Sequence, residues 1–159
     1  MSERALPVGI TLRSARPGDL PAALDLLAAR KLAANGVEEQ FGPGFAVAVD
    51  GKGELVGVAG VEIYGSDGLF RSAAVRFEHE GQGIGDALTR NRLAWAREHG
   101  LRALYLLTET AADYWPRFGF IRIARDAAPD PVRASAEWAG GCPAGAVAMR
   151  LPLSGATPG

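Results

Sequence analysis

Three glycines, Gly81, Gly83 and Gly85, form the pattern in this sequence with the clearest chemical meaning. They lie between a predicted strand and a predicted helix, where a backbone without Cβ atoms can curl tightly. Unpaired N–H groups at a helix N-terminus, together with the positive end of the helix dipole, favour an anion such as a phosphate or pyrophosphate. A flexible turn that binds nothing uses the same residues, so this pattern alone leaves both interpretations open.

Two well-known phosphate-binding patterns do not match this segment. A Rossmann fingerprint counted from Gly81 requires a glycine where Asp86 stands, and the two predicted hairpins upstream do not form a βαβ unit. A P-loop requires a lysine after its last glycine, whereas the two lysines of this chain are Lys31 and Lys52. Both nucleotide-binding interpretations are therefore excluded.

The second chemical signal is Glu62, an acidic residue in the otherwise apolar predicted strand Leu55–Tyr64. If the following turn centres on Ser66-Asp67, antiparallel pairing sets Glu62 opposite Arg71. A cross-strand ion pair worth about 0.2–1 kcal/mol is one interpretation. In the other, Glu62 is a catalytic base for an amine and Arg71 clamps an anionic group of the substrate. The candidate substrate contacts are Tyr64, Arg71 and Ser72.

The remaining residues with reactive side chains predict no metal site and no disulfide. The two histidines, His79 and His99, are expected in a solvated loop and at a helix end, and no His, Cys or acidic set has metal-ligand spacing. Cys142 is the single cysteine and cannot form an internal disulfide, which favours a reducing, cytoplasmic location. We expect its thiol in a loop or in the core.

Composition indicates one globular domain of 159 residues, with 48% hydrophobic residues, 22% charged residues and a net charge of −1. We place this domain at residues 8–153, between flexible tails at 1–7 and 154–159. The near-neutral charge argues against a nucleic-acid partner. No apolar run approaches the roughly 18 residues that a membrane span needs, and the N-terminus lacks a secretory signal.

Periodicity and turn residues predict an α+β chain with a mixed, largely antiparallel sheet flanked by helices. The predicted strands are Ile10–Arg13, Phe45–Val49, Leu55–Tyr64, Leu69–Phe77, Leu101–Leu107, Phe120–Ala124 and Gly145–Leu151. The predicted helices are one capped by Asp19 and ended by Gly36, one from the glycine turn to Gly100, a short one at Thr110–Phe118, and one from Asp130 to Trp138.

Three segments of the chain resemble the GNAT (Gcn5-related) N-acetyltransferases. Val75–Gly85 and the helix after it resemble the family's motif A, whose pattern is Q/R-x-x-G-x-G/A. Tyr114–Phe120 is similar to the family's F-Y-E-K-L-G-F segment, and Arg16–Leu20 is similar to the start of its first helix. The matches follow the family's order, and the resemblance covers about Leu12 to Leu151.

This resemblance implies the GNAT fold and direct acetyl transfer from acetyl-CoA to an amine, without a covalent enzyme intermediate. In the family, the strand before the glycine turn pairs with pantetheine, and the amides of the turn hold the pyrophosphate. A homodimer through the last strands is also an expectation by resemblance. The implied cofactor contacts are Ala74, Val75, Phe77, Gly81, Gln82, Gly83, Gly85, Asp86, Ala87, Thr108 and Trp115.

The sequence departs from the family pattern at the cofactor turn and at the expected acid. Glu80 stands where Arg or Gln is usual, and Asp86 follows the last glycine, so two carboxylates are expected to weaken pyrophosphate binding. Trp115 replaces the tyrosine that protonates the leaving thiolate in many members. Tyr114, one residue earlier, would point about 100° away on a helix, which leaves solvent as the proton donor.

The function that this resemblance implies is acetylation of a small-molecule amine, with an amino-acid-like acceptor indicated by Arg71. A non-catalytic acyl-CoA-binding or regulatory module and a peptide or protein N-acetyltransferase remain alternatives. The segments Leu106–Ala112 and Trp138–Met149, with Cys142-Pro143-Ala144, also resemble a GNAT subgroup named after arsenic resistance.

Overall fold

The structure is a computed structural model that describes residues 6–141 and 145–153. Cys142, residues 1–5 of the predicted N-terminal tail and the predicted tail at 154–159 lie outside the described residues. Within the described residues, seven strands form one sheet. The strands are β1 Thr11–Ser14, β2 Phe45–Val49, β3 Leu55–Tyr64, β4 Asp67–Val75, β5 Ala103–Thr108, β6 Ile121–Ile123 and β7 Val147–Pro152. The α-helices are α1 Leu20–Ala29, α2 Val37–Gln40, α3 Ile84–Glu98 and α4 Asp130–Arg133.

The strand order in the sheet is β1-β2-β3-β4-β5-β7-β6. Neighbouring strands are antiparallel except β4 and β5, which are parallel. A parallel pair needs a crossover connection, and α3 supplies it. The predicted α+β class and the mixed, largely antiparallel sheet are therefore confirmed.

Helices cover the two faces of the sheet, and β2 shows why. Its residues Phe45, Val47 and Val49 pack with the buried side chains of α1, while Ala46 and Ala48 pack with those of α3. This alternation follows from the period of two in a strand. No helix in the described part of the chain is long and apolar enough to cross a membrane.

Three predicted helices are shorter than expected. The first ends at Ala29 rather than Gly36, because Lys31 adopts a left-handed backbone with φ of 59° and turns the chain. The segment Thr110–Phe118 is a turn followed by one 3₁₀ turn at 115–118. The predicted helix from Asp130 to Trp138 divides into α4 and a π-helical turn, Glu137–Gly141.

Asp19 precedes α1 as predicted, but its side chain does not cap the helix. Its carboxylate instead accepts the Arg16 N–H at 2.7 Å and pairs with the Arg13 guanidinium at 2.8 Å. The hydrogen bond with Arg13 lowers the pKa of this carboxyl. Asp19 therefore ties the end of β1 to the start of α1.

The β3–β4 hairpin has a different register from the predicted one. Tyr64 pairs with Asp67 across a two-residue turn whose first residue, Gly65, has φ of 68°. The prediction that Glu62 lies directly opposite Arg71 is wrong, because Glu62 pairs with Leu69. The two side chains still share one face of the sheet as diagonal neighbours.

A bulge in β4 and an early separation from β5 open the sheet. Between the pairs Val58–Ala74 and Gly60–Arg71, two residues of β4 oppose one of β3, and Ser72 adopts φ of 64°. On its other side, β4 pairs with β5 at Asp67, Gly68 and Leu69. Beyond Leu69 the two parallel strands diverge, and their separation leaves a cleft in the sheet.

Candidate functional site

A cavity of about 540 Å³ lies where the end of β4 faces the first turn of α3. Its lining comes mainly from β4, the glycine turn, α3 and the segment before β6, with Val58 of β3 and with Arg30 and Leu32 after α1. The predicted cofactor contacts among its lining residues are Ala74, Val75, Gly81, Gly83, Gly85, Asp86 and Trp115. The tertiary structure therefore brings most of the predicted cofactor residues to one cavity.

The first turn of α3, which follows the glycine turn, presents free backbone donors to this cavity. Gly81 and Gly83 have φ of 79° and 88°, a region that only glycine adopts at little cost, and Gly83 is the residue before α3. The backbone N–H groups of Ile84, Gly85 and Asp86 have no backbone partner among the described residues. They lie at the positive end of a 15-residue helix, as an anion site requires.

Three predicted contacts of this cavity lie elsewhere. The Ala87 N–H donates to the Gly83 carbonyl at 3.0 Å, so the helix already uses that amide. The Gln82 side chain is exposed and lies 3.4 Å from the His79 ring nitrogen. Phe77 is exposed, with the Arg30 guanidinium 3.9 Å from its ring centre. The side chains of these residues do not line the cavity.

The two carboxylates expected to repel an anion both have partners. Arg30 donates to Glu80 at 2.5 Å, and Asp86 accepts a hydrogen bond from the Tyr114 hydroxyl. Arg30 also lines the cavity, so a cation accompanies Glu80 at its rim. The repulsion is therefore smaller than the sequence indicated.

Tyr114 faces this cavity, contrary to the expectation that it points away. That expectation assumed an α-helix, whereas Tyr114 ends a turn just before the 3₁₀ segment, and both Tyr114 and Trp115 line the cavity. Burial, and next the hydrogen bond to Asp86, raise the pKa of the Tyr114 hydroxyl. The hydroxyl is therefore protonated at neutral pH.

A second cavity of about 420 Å³ continues from the first between β4 and β5. Both cavities are lined by Ala73 and Trp115, so the two spaces meet beside Trp115. Besides Trp115, three predicted residues line the second cavity: Thr108, Arg71 and Ser72. The Thr108 hydroxyl accepts the Ala111 N–H at 3.0 Å. The hydroxyl of Ser72 is buried and has no hydrogen-bond partner among the described residues.

Glu62 and Tyr64 line neither of these two cavities. The carboxylate of Glu62 is buried, and both of its oxygens accept hydrogen bonds, one from the Tyr64 hydroxyl at 2.5 Å and one from Arg71 at 3.2 Å. Burial, and then the bond to Glu62, raise the pKa of Tyr64. These contacts occupy the carboxylate that the sequence indicated as a base.

The Arg71 guanidinium is fully buried and engaged in several contacts. It donates to the backbone carbonyls of Ala33 (3.1 Å) and Asn35, and it pairs with Glu62. These bonds fix the loop after α1 against β4. Its Nε has no hydrogen-bond partner among the described residues, and its predicted role as a clamp for an anionic substrate stays a prediction.

Glu137 is the site residue that sequence reasoning missed. It lies on the π-helical turn, lines the second cavity, and has one oxygen 3.7 Å from the Arg71 Nε. The other oxygen, Oε1, is buried with no hydrogen-bond partner among the described residues. Burial raises the pKa of Glu137 to about 7; Arg71 opposes this shift and Glu62 adds to it. No local pattern could find this residue, since its partners are distant in sequence.

The arrangement of the acidic and histidine side chains determines whether the structure offers a metal site. Among residues 6–141 and 145–153, no group of three or more His, Cys, Asp or Glu side chains is arranged to hold a metal ion. The polar groups that line the two cavities are backbone amides, hydroxyls, separate carboxylates, the His79 ring and cationic side chains such as Arg30 and Lys31.

Comparison with known proteins identifies the family. The model of the acetyltransferase (GNAT) domain family matches residues 42–122, which include the glycine turn and both diverging strands. The chain belongs to the GNAT acetyltransferases. It is also 30% identical over 158 residues to the mycothiol acetyltransferase of Pseudarthrobacter chlorophenolicus, covering 84% of this chain and 49% of that protein.

Two solved structures show the same GNAT fold. N-acetylglutamate synthase from Neisseria gonorrhoeae, complexed with coenzyme A and N-acetyl-glutamate, has a TM-score of 0.78 at 20% identity, over 94% of this chain and 36% of that one. Rv2747 from Mycobacterium tuberculosis has a TM-score of 0.71 at 24% identity, over 90% and 99%. The chain spans about half the length of its mycothiol relative and about a third of the synthase.

Replacing Arg71 with alanine is expected to lower the free energy of unfolding by about 3–5 kcal/mol. The substitution leaves the buried carboxylate of Glu62 without its counter-charge and two backbone carbonyls without their donor. Urea denaturation measures the change. The matched control is Arg133→Ala, whose exposed ion pair with Asp130 is worth at most about 1 kcal/mol. Equal losses in the two variants would contradict a structural role for Arg71.

Proposed function

We propose that this GNAT domain transfers an acetyl group from acetyl-CoA directly to the amine of a small molecule. The observation that carries the proposal is the continuous cleft between β4 and β5. Free helix N-terminal amides lie at one end of it, and a buried carboxylate without a hydrogen-bond partner lies at the other. An anionic cofactor and an amine can therefore approach each other from opposite ends of one cleft.

The cofactor would occupy the larger cavity. The amides of Ile84, Gly85 and Asp86 are suited to the pyrophosphate of acetyl-CoA. Ala74 and Val75 lie on the part of β4 that β5 does not pair, so their backbone groups can bond the pantetheine amides. The acetyl group would then lie near Trp115, where the two cavities meet.

Tyr114 is the residue that we propose as proton donor to the leaving thiolate. It lines the cofactor cavity, and its hydroxyl carries a proton at neutral pH. Its raised pKa makes it a weaker acid than an ordinary tyrosine, so the proposal rests on its position in the cavity. Trp115 carries an indole N–H that does not titrate, so it cannot replace a tyrosine in this step. Its ring packs edge-on against Phe70 and contributes shape to the cleft instead.

An amino-acid-like acceptor with an anionic group remains our proposal for the substrate class, with a different residue as its partner. Lys31 lines the second cavity, which would hold the acceptor amine and is the acceptor cavity of this proposal. No ion pair of its ammonium is found within the described residues. Its left-handed backbone, which is costly for a residue with a side chain, places it at this position. The N-acetylglutamate synthase complex offers an analogy for such an acceptor. The arsenic-resistance resemblance stays a prediction, and its Cys142 lies outside the described residues.

Cofactor binding is tested by substituting Gly85 with alanine. The added Cβ would lie 3.7 Å from Val75 and 3.9 Å from the Tyr114 hydroxyl, an ordinary contact distance, but it would occupy space inside the cavity. We expect the Kd for acetyl-CoA to rise about tenfold, which corresponds to about 1.4 kcal/mol. The fold should not weaken, since alanine favours a helix over glycine by about 0.8–1 kcal/mol.

Titration calorimetry with acetyl-CoA, CoA and NAD measures this effect. The wild type is expected to bind both CoA species and not NAD. The control is Gly51→Ala, whose Cβ meets no other atom within 4 Å and which lies in an exposed turn. An unchanged Kd in Gly85→Ala, or equal affinity for NAD, would remove the cofactor site from this cavity.

Replacing Glu80 with glutamine is expected to strengthen acetyl-CoA binding up to about fivefold. The change removes a negative charge from the cavity rim and releases Arg30 to meet a phosphate. The limit reflects the roughly 1 kcal/mol that exposed ion pairs are worth. Calorimetry at low and high salt provides the check, because the gain should shrink as salt screens it. Weaker binding would show that the Arg30–Glu80 pair itself supports the cofactor site.

The reaction is tested with a panel of amines and acetyl-CoA, following release of the free thiol. The panel contains L-glutamate, L-glutamine, glycine, ethanolamine and a short peptide with a free N-terminus. Turnover of a free amine above the hydrolysis of acetyl-CoA supports the proposal, and preference for the anionic amines that is lost in Lys31→Ala supports the substrate class. Binding of CoA without turnover would favour the regulatory alternative, and acetylation of the peptide alone would favour the protein N-acetyltransferase.

A further inference from the structure

Glu137 combines three properties that are rarely found together in a structural carboxylate. It is 6% exposed, it lines the acceptor cavity, and its Oε1 has no hydrogen-bond partner within the described residues. A buried acceptor atom without a partner costs free energy unless a ligand supplies the missing donor. The ligand group that best satisfies the hydrogen-bonding capacity of a carboxylate oxygen is an N–H donor, such as that of an amine.

Glu137 lies beside Arg71, whose Nε also has no hydrogen-bond partner among the described residues. The guanidinium lies 3.7 Å from Glu137 through its Nε and 3.2 Å from Glu62 through its Nη1. Bonds to the carbonyls of Ala33 and Asn35 hold it in this orientation. One buried cation therefore serves two carboxylates, so its charge does not fully compensate both of them.

We propose that Glu137 is the general base that binds the acceptor amine and takes its proton, with Arg71 and Glu62 as positioning residues. This inference rests on the proposed function and names the residue at its acceptor site. Glu62 is a poorer candidate, because both of its oxygens accept hydrogen bonds and it does not line the cavity. Glu137 has the free oxygen that Glu62 lacks.

The proton and electron changes balance in three steps. An ammonium group on the acceptor gives one proton to ionised Glu137 and becomes a neutral amine. The nitrogen lone pair then forms the C–N bond, and the C–S bond breaks with its electron pair on sulfur. Tyr114 or water gives a proton to the thiolate, and the second proton of the amine nitrogen replaces the proton that this donor gave. Glu137 releases the proton that it took to solvent. The products are the amide, CoA as a free thiol and one proton.

The charged surroundings set the pH at which this base works. Glu62 on β3, Arg71 on β4 and Arg125 in the turn before α4 act on Glu137, and burial is the largest influence, so its pKa is raised to about 7. The charged side chains across the same cavity are Arg30, Lys31 and Glu109. A base with this pKa is ionised in about half of the molecules at neutral pH, close to the optimum for proton transfer.

The first test is the pH profile of kcat/KM for Glu137→Gln, with an amine that the wild type acetylates. The wild-type value is expected to rise as Glu137 ionises and to level off above about pH 7. The variant should lose about 10²–10⁴-fold at pH 7 and keep rising towards pH 9, because it can use only the amine that is already neutral. Its Kd for acetyl-CoA should be unchanged. Glu39→Gln, an exposed change on α2, is the control and should keep the wild-type profile.

Glu62→Gln separates positioning from a purely structural role. Since Glu62 raises the pKa of Glu137, its neutralisation should move the rise in kcat/KM to lower pH while the plateau persists. A loss of activity without that shift would overturn the positioning role of Glu62. An unchanged profile in Glu137→Gln would overturn the assignment of the base, while the proposed function stands on the wild-type turnover.

A second measurement does not depend on turnover. Carbon-13 NMR of the glutamate carboxyl groups, with Glu137→Gln to assign the signal, should show one carboxyl that titrates near pH 7. Exposed glutamates titrate near about pH 4.3. Absence of such a signal would overturn the assignment. If the wild type acetylates no amine although it binds acetyl-CoA, the proposed function fails, and the role of Glu137 as a base fails with it.

Discussion

The separation of β4 from β5 is the constraint on which both cavities depend. The two strands pair at three positions and then diverge, so the sheet carries an opening in its middle rather than at an edge. The bulge at Ser72 lies within β4 where it passes this opening and changes the direction of the strand. Backbone groups that would otherwise bond a neighbouring strand are left for a ligand, and side chains from both strands enter the same space.

A buried guanidinium organises the acceptor side of that opening. Arg71 has no exposed surface, and it connects the loop after α1, the carboxylate on β3 and the turn that carries Glu137. Three parts of the chain that are distant in sequence thus depend on one charge. The arrangement keeps one carboxylate fully hydrogen-bonded and leaves the other with a free oxygen facing the cavity. Unequal environments of this kind assign different roles to two similar side chains.

The cofactor side shows how neighbouring residues offset unfavourable charge. Glu80 and Asp86 lie beside the amides that suit a pyrophosphate, yet Arg30 pairs with one and Tyr114 donates to the other. The two residues that depart from the family pattern, Glu80 and Asp86, therefore each have a hydrogen-bond partner elsewhere in the chain. Tyr114 reaches the cavity because the short segment before it turns instead of forming an α-helix.

Local patterns in the sequence were sufficient to predict which segments form strands and in what order along the chain. They also predicted the glycine turn before α3 and the family. These features depend on residue period, on glycine conformation and on short motifs, all of which lie within a few positions. Hairpin register was not accessible in the same way, because a turn at Gly65-Ser66 instead of Ser66-Asp67 moves the partner of Glu62 by two residues, from Arg71 to Leu69. The ends of the helices at Ala29 and Arg133 also differ from the predicted ends, and the first follows from the left-handed backbone of Lys31.

The sequence by itself determined that this chain is an α+β GNAT domain with a glycine turn at Gly81–Gly85 before a helix, because short-range periodicity, backbone conformation and short motifs carry that information. Only the tertiary structure decided which residues share the acceptor cavity. It brought Glu137 to Arg71, turned Tyr114 toward the cofactor cavity and enclosed Glu62. Burial and long-range charge contacts give these side chains their chemistry, and such contacts form when distant segments pack together.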